Sequence, residues 1–293
     1  MKTSLQILAA ALLALVLAAP APARAAADAV RPWFGRVLIT NDDGITDPRL
    51  AALARAFAPL AEVVVVAPRH NCSGSTNYVS AFQSGEVAVE PYDLGPGIEA
   101  WVVDGFPGDC VVLAMTGILA ETPPDLLLSG VNSGPNLADA YLASGTLGTA
   151  RLGARFGVRS VALSNLSDED PSMLAAVPAW CAALAASPAV RDLGPGQYLS
   201  VNFPDGPADR VQGVCWAGPG EPVFHDAFEL YACQDSGRQV WKQQWWFDDG
   251  DHQPADGDVT KQRTGWITVT PMRIGDFDPT RLGAAALPTW PDR

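Results

Sequence analysis

A short apolar run that stops on two adjacent carboxylates admits few folds. Residues 36–45 read Arg-Val-Leu-Ile-Thr-Asn-Asp-Asp-Gly-Ile. Val37, Leu38 and Ile39 have the composition of a strand buried on both faces. Gly44 lets the chain turn sharply. Leu50, Leu53, Ala54, Phe57 and Leu60 then recur at helical spacing. Strand, acidic turn and helix open an α/β sheet, and ligands bind such sheets at the carboxyl ends of the strands. Asp42 and Asp43 repel each other, so a divalent cation is the partner this turn favours. Taken alone, the pair is also compatible with an ordinary solvated acidic turn.

The same strand–helix alternation continues. Strands are predicted over residues 62–67, 99–103, 125–129, 158–164 and 198–203, with an alternating segment at 86–90. Helices are predicted over 109–119, 146–156 and 173–186. The expected architecture is a Rossmann-like, mostly parallel sheet with helices on both faces. After Pro204 the chain turns rich in Gly, Pro and Trp, with one clear strand at 265–271. This part is expected to add an antiparallel hairpin extension. The domain reading is therefore 1–25 leader, 26–35 linker, 36–204 α/β catalytic core, and 205–293 a C-terminal oligomerisation arm with a final strand.

Lys2 followed by the apolar run 7–19 and Ala23-Arg24-Ala25 fits a cleaved secretory signal peptide. The run is shorter than the roughly 20 residues a membrane span needs. Export to the periplasm or medium is expected. Export also permits disulfides, and Cys215 and Cys233, which flank one Gly/Pro-rich loop, are the favoured pair. The net charge is −13, and losing Lys2 and Arg24 makes it more negative by two. That balance argues against nucleic-acid polymers and anionic membranes as partners.

Three loops converge at the carboxyl ends of predicted strands: 41–44, 71–74 and 129–132. Their side chains offer carboxylates, a hydroxyl and an amide oxygen, the donor set of a hard cation rather than zinc. A fourth loop, 143–148 (Ala-Ser-Gly-Thr-Leu-Gly), runs into a helix whose free N–H groups attract phosphate. Its simpler reading is a Ser/Thr cap.

Several stretches together resemble the survival protein E (SurE) family of metal-dependent nucleotidases and acid phosphatases. They are 37–45, 65–68 with Ser73-Gly74, 105–111, 124–132 with 134–137, 144–146, 201–204 and 267–271. The resemblance implies that Asp42, Asp43, Ser73 and Asn132 hold one divalent metal ion, Mg²⁺ or Mn²⁺. It places Asn136, Ser144, Gly145 and Thr146 at the phosphate, with Asp42 and Asp43 in catalysis. It implies a 5′-nucleotidase, with 3′-nucleotides as further substrates, and a homodimer or homotetramer with an exchanged arm; a phosphatase of other phosphate esters or polyphosphate is the alternative reading. Arg69-His70-Asn71-Cys72 replaces an Asp-Arg-Asn-Gln-like stretch of the family. On this reading Ser144–Thr146 bind phosphate apart from the metal ligands.

Other phosphate chemistries lack their signatures. A receiver-like Mg²⁺-binding module needs a lysine at a later strand end. An aspartyl-nucleophile phosphatase needs Asp-x-Asp. No Gly-Lys-Ser/Thr phosphate loop and no Gly-x-Ser-x-Gly elbow occurs. His70 is the one histidine in a predicted site loop.

Overall fold

Val37 and Ile39 feed one hydrophobic cluster, and Leu38 between them feeds another. That alternation is the period-two signature of a strand buried on both faces. It appears in a computed structural model of the chain, which describes residues 32–167, 169–247 and 252–275. The expected leader at 1–25, residues 26–31 of the linker and residues 276–293 lie outside the described residues.

The elements run in this order: β1 (Arg36–Thr40), α1 (Pro48–Phe57), β2 (Glu62–Pro68), α2 (Ala81–Ser84), β3 (Val89–Pro91), β4 (Ile98–Val103) and α3 (Pro107–Leu113). They continue with β5 (Leu126–Asn132), α4 (Gly145–Arg155), β6 (Arg159–Ser164), α5 (Pro171–Ala186), α6 (Pro188–Arg191) and β7 (Gln197–Asn202). The last are β8 (Gly213–Trp216), β9 (Phe224–Cys233), β10 (Gln239–Phe247), α7 (Asp258–Arg263) and β11 (Trp266–Arg273).

Nine strands form one sheet in the order β3-β4-β2-β1-β5-β6-β7-β11-β8. From β4 to β7 every neighbouring pair is parallel, and β3 and β11 are the antiparallel additions. One face carries α1 and α5, packed through Leu50, Leu53, Phe57, Val177 and Cys181 onto Val37, Val65 and Leu128. The other carries α3 and α4, packed through Cys110, Val111 and Leu152 onto Leu38, Val64 and Leu127. β1 pairs β2 on one side and β5 on the other. The winding direction reverses between β1 and β5, and that reversal opens a crevice at their carboxyl ends.

The helix expected over 109–119 starts earlier, because Pro107 with its fixed φ suits the first turn. It continues beyond Leu113 as a π-helical stretch, Ala114–Ile118. The Gly/Pro/Trp-rich part divides. β11 joins the main sheet beside β7, and β8 joins beside β11 in parallel. β9 and β10 form a separate antiparallel hairpin. All five cysteines are free thiols. The expected Cys215–Cys233 disulfide is not formed, because β9 carries Cys233 to the hairpin tip, opposite Gln239, while Cys215 pairs with Thr268 in the main sheet.

Candidate metal centre

The turn after β1 is built by its own first residue. Asn41 donates from Nδ2 to the Gly44 carbonyl (2.9 Å) and accepts from the Gly44 N–H (3.2 Å). Gly44 sits at φ +110°, and a Cβ there would approach the His70 carbonyl carbon to 3.2 Å. Only glycine meets both demands without strain. The loop after β2 is stitched to this turn: the Ile45 N–H donates to the Pro68 carbonyl (2.8 Å), and the Cys72 N–H donates to the Asp42 carbonyl (2.7 Å).

Asp42 is almost fully buried at 3% exposure, and the Asp43 side chain is similarly enclosed. Burial pushes the Asp42 carboxyl up from its ordinary value. Burial, and then the charge of Asp42, push Asp43 up to about 7, against the pull of the Arg49 guanidinium. Arg49 Nη2 lies 3.4 Å from Asp43 Oδ1. Arg49 is itself clamped by Asp47 and donates from Nη1 to the Leu166 carbonyl (3.2 Å). Asp43 Oδ2 is buried with no hydrogen-bond partner. Two buried acids, one with an orphaned oxygen, form a site that a cation completes.

The chain neighbours of the other two expected ligands, Ser73 and Asn132, approach Asp43. Asn71, which accepts the Ser73 N–H at 2.9 Å, reaches Asp43 Oδ1 at 3.5 Å. The Ser133 backbone N–H, next to Asn132, is near enough to Asp43 to favour its charged form. Asn132 uses Nδ2 on the Gly134 carbonyl (2.9 Å), which leaves Oδ1 to accept or to ligate. Among the described residues no group of three or more His, Cys, Asp or Glu is clustered for a metal. Two carboxylates with neutral oxygen donors suit Mg²⁺ or Mn²⁺ and not zinc. The residues present fit the expected ion.

The start of α4 departs from its sequence reading. Ser144 is the N-cap, its Oγ accepting from the Leu147 N–H at 3.1 Å. The fully buried Thr146 donates its hydroxyl to Asp42 Oδ1 (2.7 Å), and its backbone N–H also reaches Asp42. A Cβ at Gly145 would fall 2.7 Å from Asp42 Oδ2. The helix start thus holds Asp42, one of the expected metal ligands, so the loop expected to stand apart from those ligands touches one of them. Asn136 is held in place by two donations, its N–H to Asn202 Oδ1 (2.8 Å) and its Nδ2 to Ser164 Oγ (2.9 Å).

Two further residues matter that sequence reasoning missed. Arg49 gave no signal, since its burial against Asp43 depends on the Leu166 segment. Asp109 is buried and accepts from Ser80 N and Oγ, Ala81 N and Phe106 N, tying the segment after the Ser73 loop to α3. His70 is exposed.

The raised Asp43 carboxyl makes a signed prediction. Its folded pKa of about 7 lies above the ordinary 3.8. Between those values the folded chain holds a proton that the unfolded chain releases, so the destabilisation of the cation-free protein by this group grows from pH 3.8 to about 7 and stays constant above that. A divalent cation replaces that proton. The Mn²⁺-induced rise in melting temperature is expected to be large at pH 8, equivalent to about 2.7 kcal/mol at a hundredfold excess over Kd, and to shrink below pH 6. A pH-independent Mn²⁺ shift in differential scanning fluorimetry would contradict it.

Comparison with known proteins gives a consistent picture. The family model described as "Survival protein SurE" matches residues 37–226. The chain is 34% identical over 246 residues to the 5'-nucleotidase SurE of Heliobacterium modesticaldum, covering 82% of this chain and 86% of that one. It is 33% identical over 242 residues to the 5'/3'-nucleotidase SurE of Serratia proteamaculans, covering 82% and 90%. The crystal structure of the SurE protein from Aquifex aeolicus is 27% identical, with a TM-score of 0.69 over 85% of this chain and 97% of that one.

Proposed function

The chain belongs to the survival protein SurE family, and from that membership we propose that it is a divalent-cation-dependent phosphomonoesterase acting on nucleoside monophosphates. The observation that carries the reading is the buried Asp42–Asp43 pair at the β1/β5 reversal, with one oxygen unpartnered. Asp42, Asp43, Ser73 and Asn132 would hold the ion. When bound, a divalent cation lowers the pKa of a water nucleophile and neutralises phosphoryl charge.

The chain's own residues do the rest. Thr146 fixes the rotamer of Asp42, and Arg49 fixes that of Asp43. We assign the phosphate to the space between these carboxylates and the Asn136 loop. In the first turn of α4, Asp42 and Ser144 take the Thr146 and Leu147 donors. The Gly145 N–H is left without a partner among the described residues and is the donor this helix offers a phosphate oxygen. A receiver-like module is disfavoured, because Lys242 lies on β10 and Lys261 on α7, neither at a carboxyl end of the parallel strands.

The test is phosphate release by the purified protein from a panel of 5′- and 3′-nucleoside monophosphates, ribose 5-phosphate and polyphosphate, with Mg²⁺, Mn²⁺ or chelator. Cation-dependent release, fastest from nucleoside monophosphates, is expected. No release with any cation would refute the reading, and polyphosphate as the best substrate would replace it.

Two further proposals concern assembly and compartment. The hairpin exposes Phe228, Tyr231, Trp245 and Trp246. A lone hairpin is marginal in water, and a patch of this kind marks an interface. The protein is proposed to be a homodimer or homotetramer through it. Trp245→Ser with Trp246→Ser should give a smaller species in sedimentation, and a monomeric wild type would count against the idea. Export is proposed from the leader, with a mature N-terminus near Ala26. Among the described residues no helix is long and apolar enough to cross a membrane. An intact mass that includes Met1–Ala25 would exclude processing.

A further inference from the structure

The loop that runs from Asn136 to Ser144 is fastened to the C-terminal part of the chain. Its first end is tied to the sheet: Asn136 donates its N–H to Asn202 Oδ1 (2.8 Å), and its carbonyl accepts from Asn202 Nδ2 (3.1 Å). Its last end is tied to the segment after Ser73, where the Thr76 N–H donates to the Ala143 carbonyl (3.2 Å). Between the two ends runs a 3₁₀ turn, Ala138–Leu142. Ala138 enters it at φ +47°, a region that residues with a Cβ rarely occupy. Such a conformation persists where its surroundings over-determine it.

Two carboxylates supply those surroundings. Asp258, the first residue of α7, accepts the Ala138 N–H at Oδ2 (3.0 Å) and the Gly220 N–H at Oδ1 (2.8 Å). Asp139 accepts the N–H groups of Val223 (2.8 Å) and Phe224 (3.1 Å) at Oδ1. Phe224 is the first residue of β9, so these bonds grip the root of the β9–β10 hairpin. Leu137, Ala138, Val223 and Val259 pack into one buried apolar cluster. A carboxylate that only caps a hairpin could come from anywhere in the chain. Asp139 instead lies three residues after Asn136 and five before Ser144, the two side chains assigned to the phosphate.

Resting on the nucleotidase reading, we propose that Asp139 is a positioning residue: by joining the hairpin root to the turn between Asn136 and Ser144, it sets how tightly the substrate phosphate is held. It acts through that turn and not through Asp42 or Asp43, so it governs phosphate affinity and not cation affinity. The test uses the full-length protein with Mn²⁺ and adenosine 5′-monophosphate, with inorganic phosphate as a competitive inhibitor and Mn²⁺ affinity measured separately by calorimetry. Asp139→Ala removes both bonds. It is expected to raise KM and the phosphate Ki together by about fivefold to fiftyfold, within the worth of two hydrogen bonds to a carboxylate. Its kcat and Mn²⁺ affinity should stay close to wild type. Asp139→Asn keeps an acceptor at Oδ1 and should restore most of the phosphate affinity. Asp139→Glu keeps the charge but lengthens the link by one methylene, and it should raise the phosphate Ki by about threefold or more, because small misplacements of a binding group are costly. Capping alone would leave that Ki at the wild-type value. An unchanged phosphate Ki in the alanine and glutamate variants overturns the proposal, and if the alanine variant does not fold, the glutamate variant decides. A Mn²⁺ affinity that falls in step with phosphate affinity also overturns it, since the damage would then reach the metal ligands. A wild type that hydrolyses no nucleoside monophosphate instead removes the nucleotidase reading, and this proposal with it.

Discussion

Asp42→Asn and Asp43→Asn are each expected to lower cation-dependent phosphate release by about a thousandfold or more, while the chain stays folded. An anionic ligand of a hard cation contributes several kcal/mol of transition-state charge stabilisation, and about 4 kcal/mol corresponds to a thousandfold in rate. The fold should tolerate the change. Asn at position 42 keeps an oxygen to accept the Thr146 hydroxyl. Asn at position 43 removes a carboxyl that burial and Asp42 have pushed up to about 7, so above that pH the cation-free variant should melt at or above the wild-type temperature. The Mn²⁺-induced shift should disappear in both. Near-normal turnover in either variant would remove the metal assignment. Loss of turnover with a collapsed melting temperature would show only a structural role.

Much of this site is legible in the sequence because its parts are local. The paired acids follow directly from a β-branched run, and Val37, Leu38 and Ile39 together mark a strand covered on both faces. The parallel direction of the strands follows from the strand–helix alternation, which puts the loops after β1, β2 and β5 at one end. What was not legible is the choice of partner across long separations. Thr146 and Asp42 are 104 residues apart, and nothing in a Ser-Gly-Thr helix start says that its hydroxyl will meet a carboxylate rather than a phosphate. Arg49 is an ordinary residue in the first turn of a helix until the Leu166 carbonyl and Asp43 enclose it. In the C-terminal part the expected antiparallel hairpin is there as β9 and β10, but the placing of the last strand was hidden for the same reason. Trp266–Arg273 reads as a strand from its own residues, but its place between β7 and β8 is set by long-range pairing.

The link between Thr146, Gly145 and Asp42 reverses what the sequence alone suggests for their variants. As a phosphate cradle apart from the metal, this loop would tolerate substitution with cation affinity intact. With the Thr146 hydroxyl 2.7 Å from Asp42 Oδ1, Thr146→Val keeps the β-branched shape and leaves a buried carboxylate short of one donor. A hydrogen bond to a charged group contributes about 1.5–3 kcal/mol. Mn²⁺ affinity and kcat/KM are therefore expected to fall together by roughly tenfold to a hundredfold, and Thr146→Ser, which keeps the hydroxyl, should recover most of both. Gly145→Ala should be worse. Its Cβ would lie 2.7 Å from Asp42 Oδ2 and 2.8 Å from Asp42 Cβ, closer than real contacts allow. Gly145 is on the buried first turn of α4, so the carboxylate has to yield rather than the helix. Calorimetric Mn²⁺ binding is expected to become undetectable in Gly145→Ala while its circular dichroism stays native. Wild-type Mn²⁺ affinity in both Thr146→Val and Gly145→Ala would mean that this helix start caps itself and leaves Asp42 to be held by the cation alone.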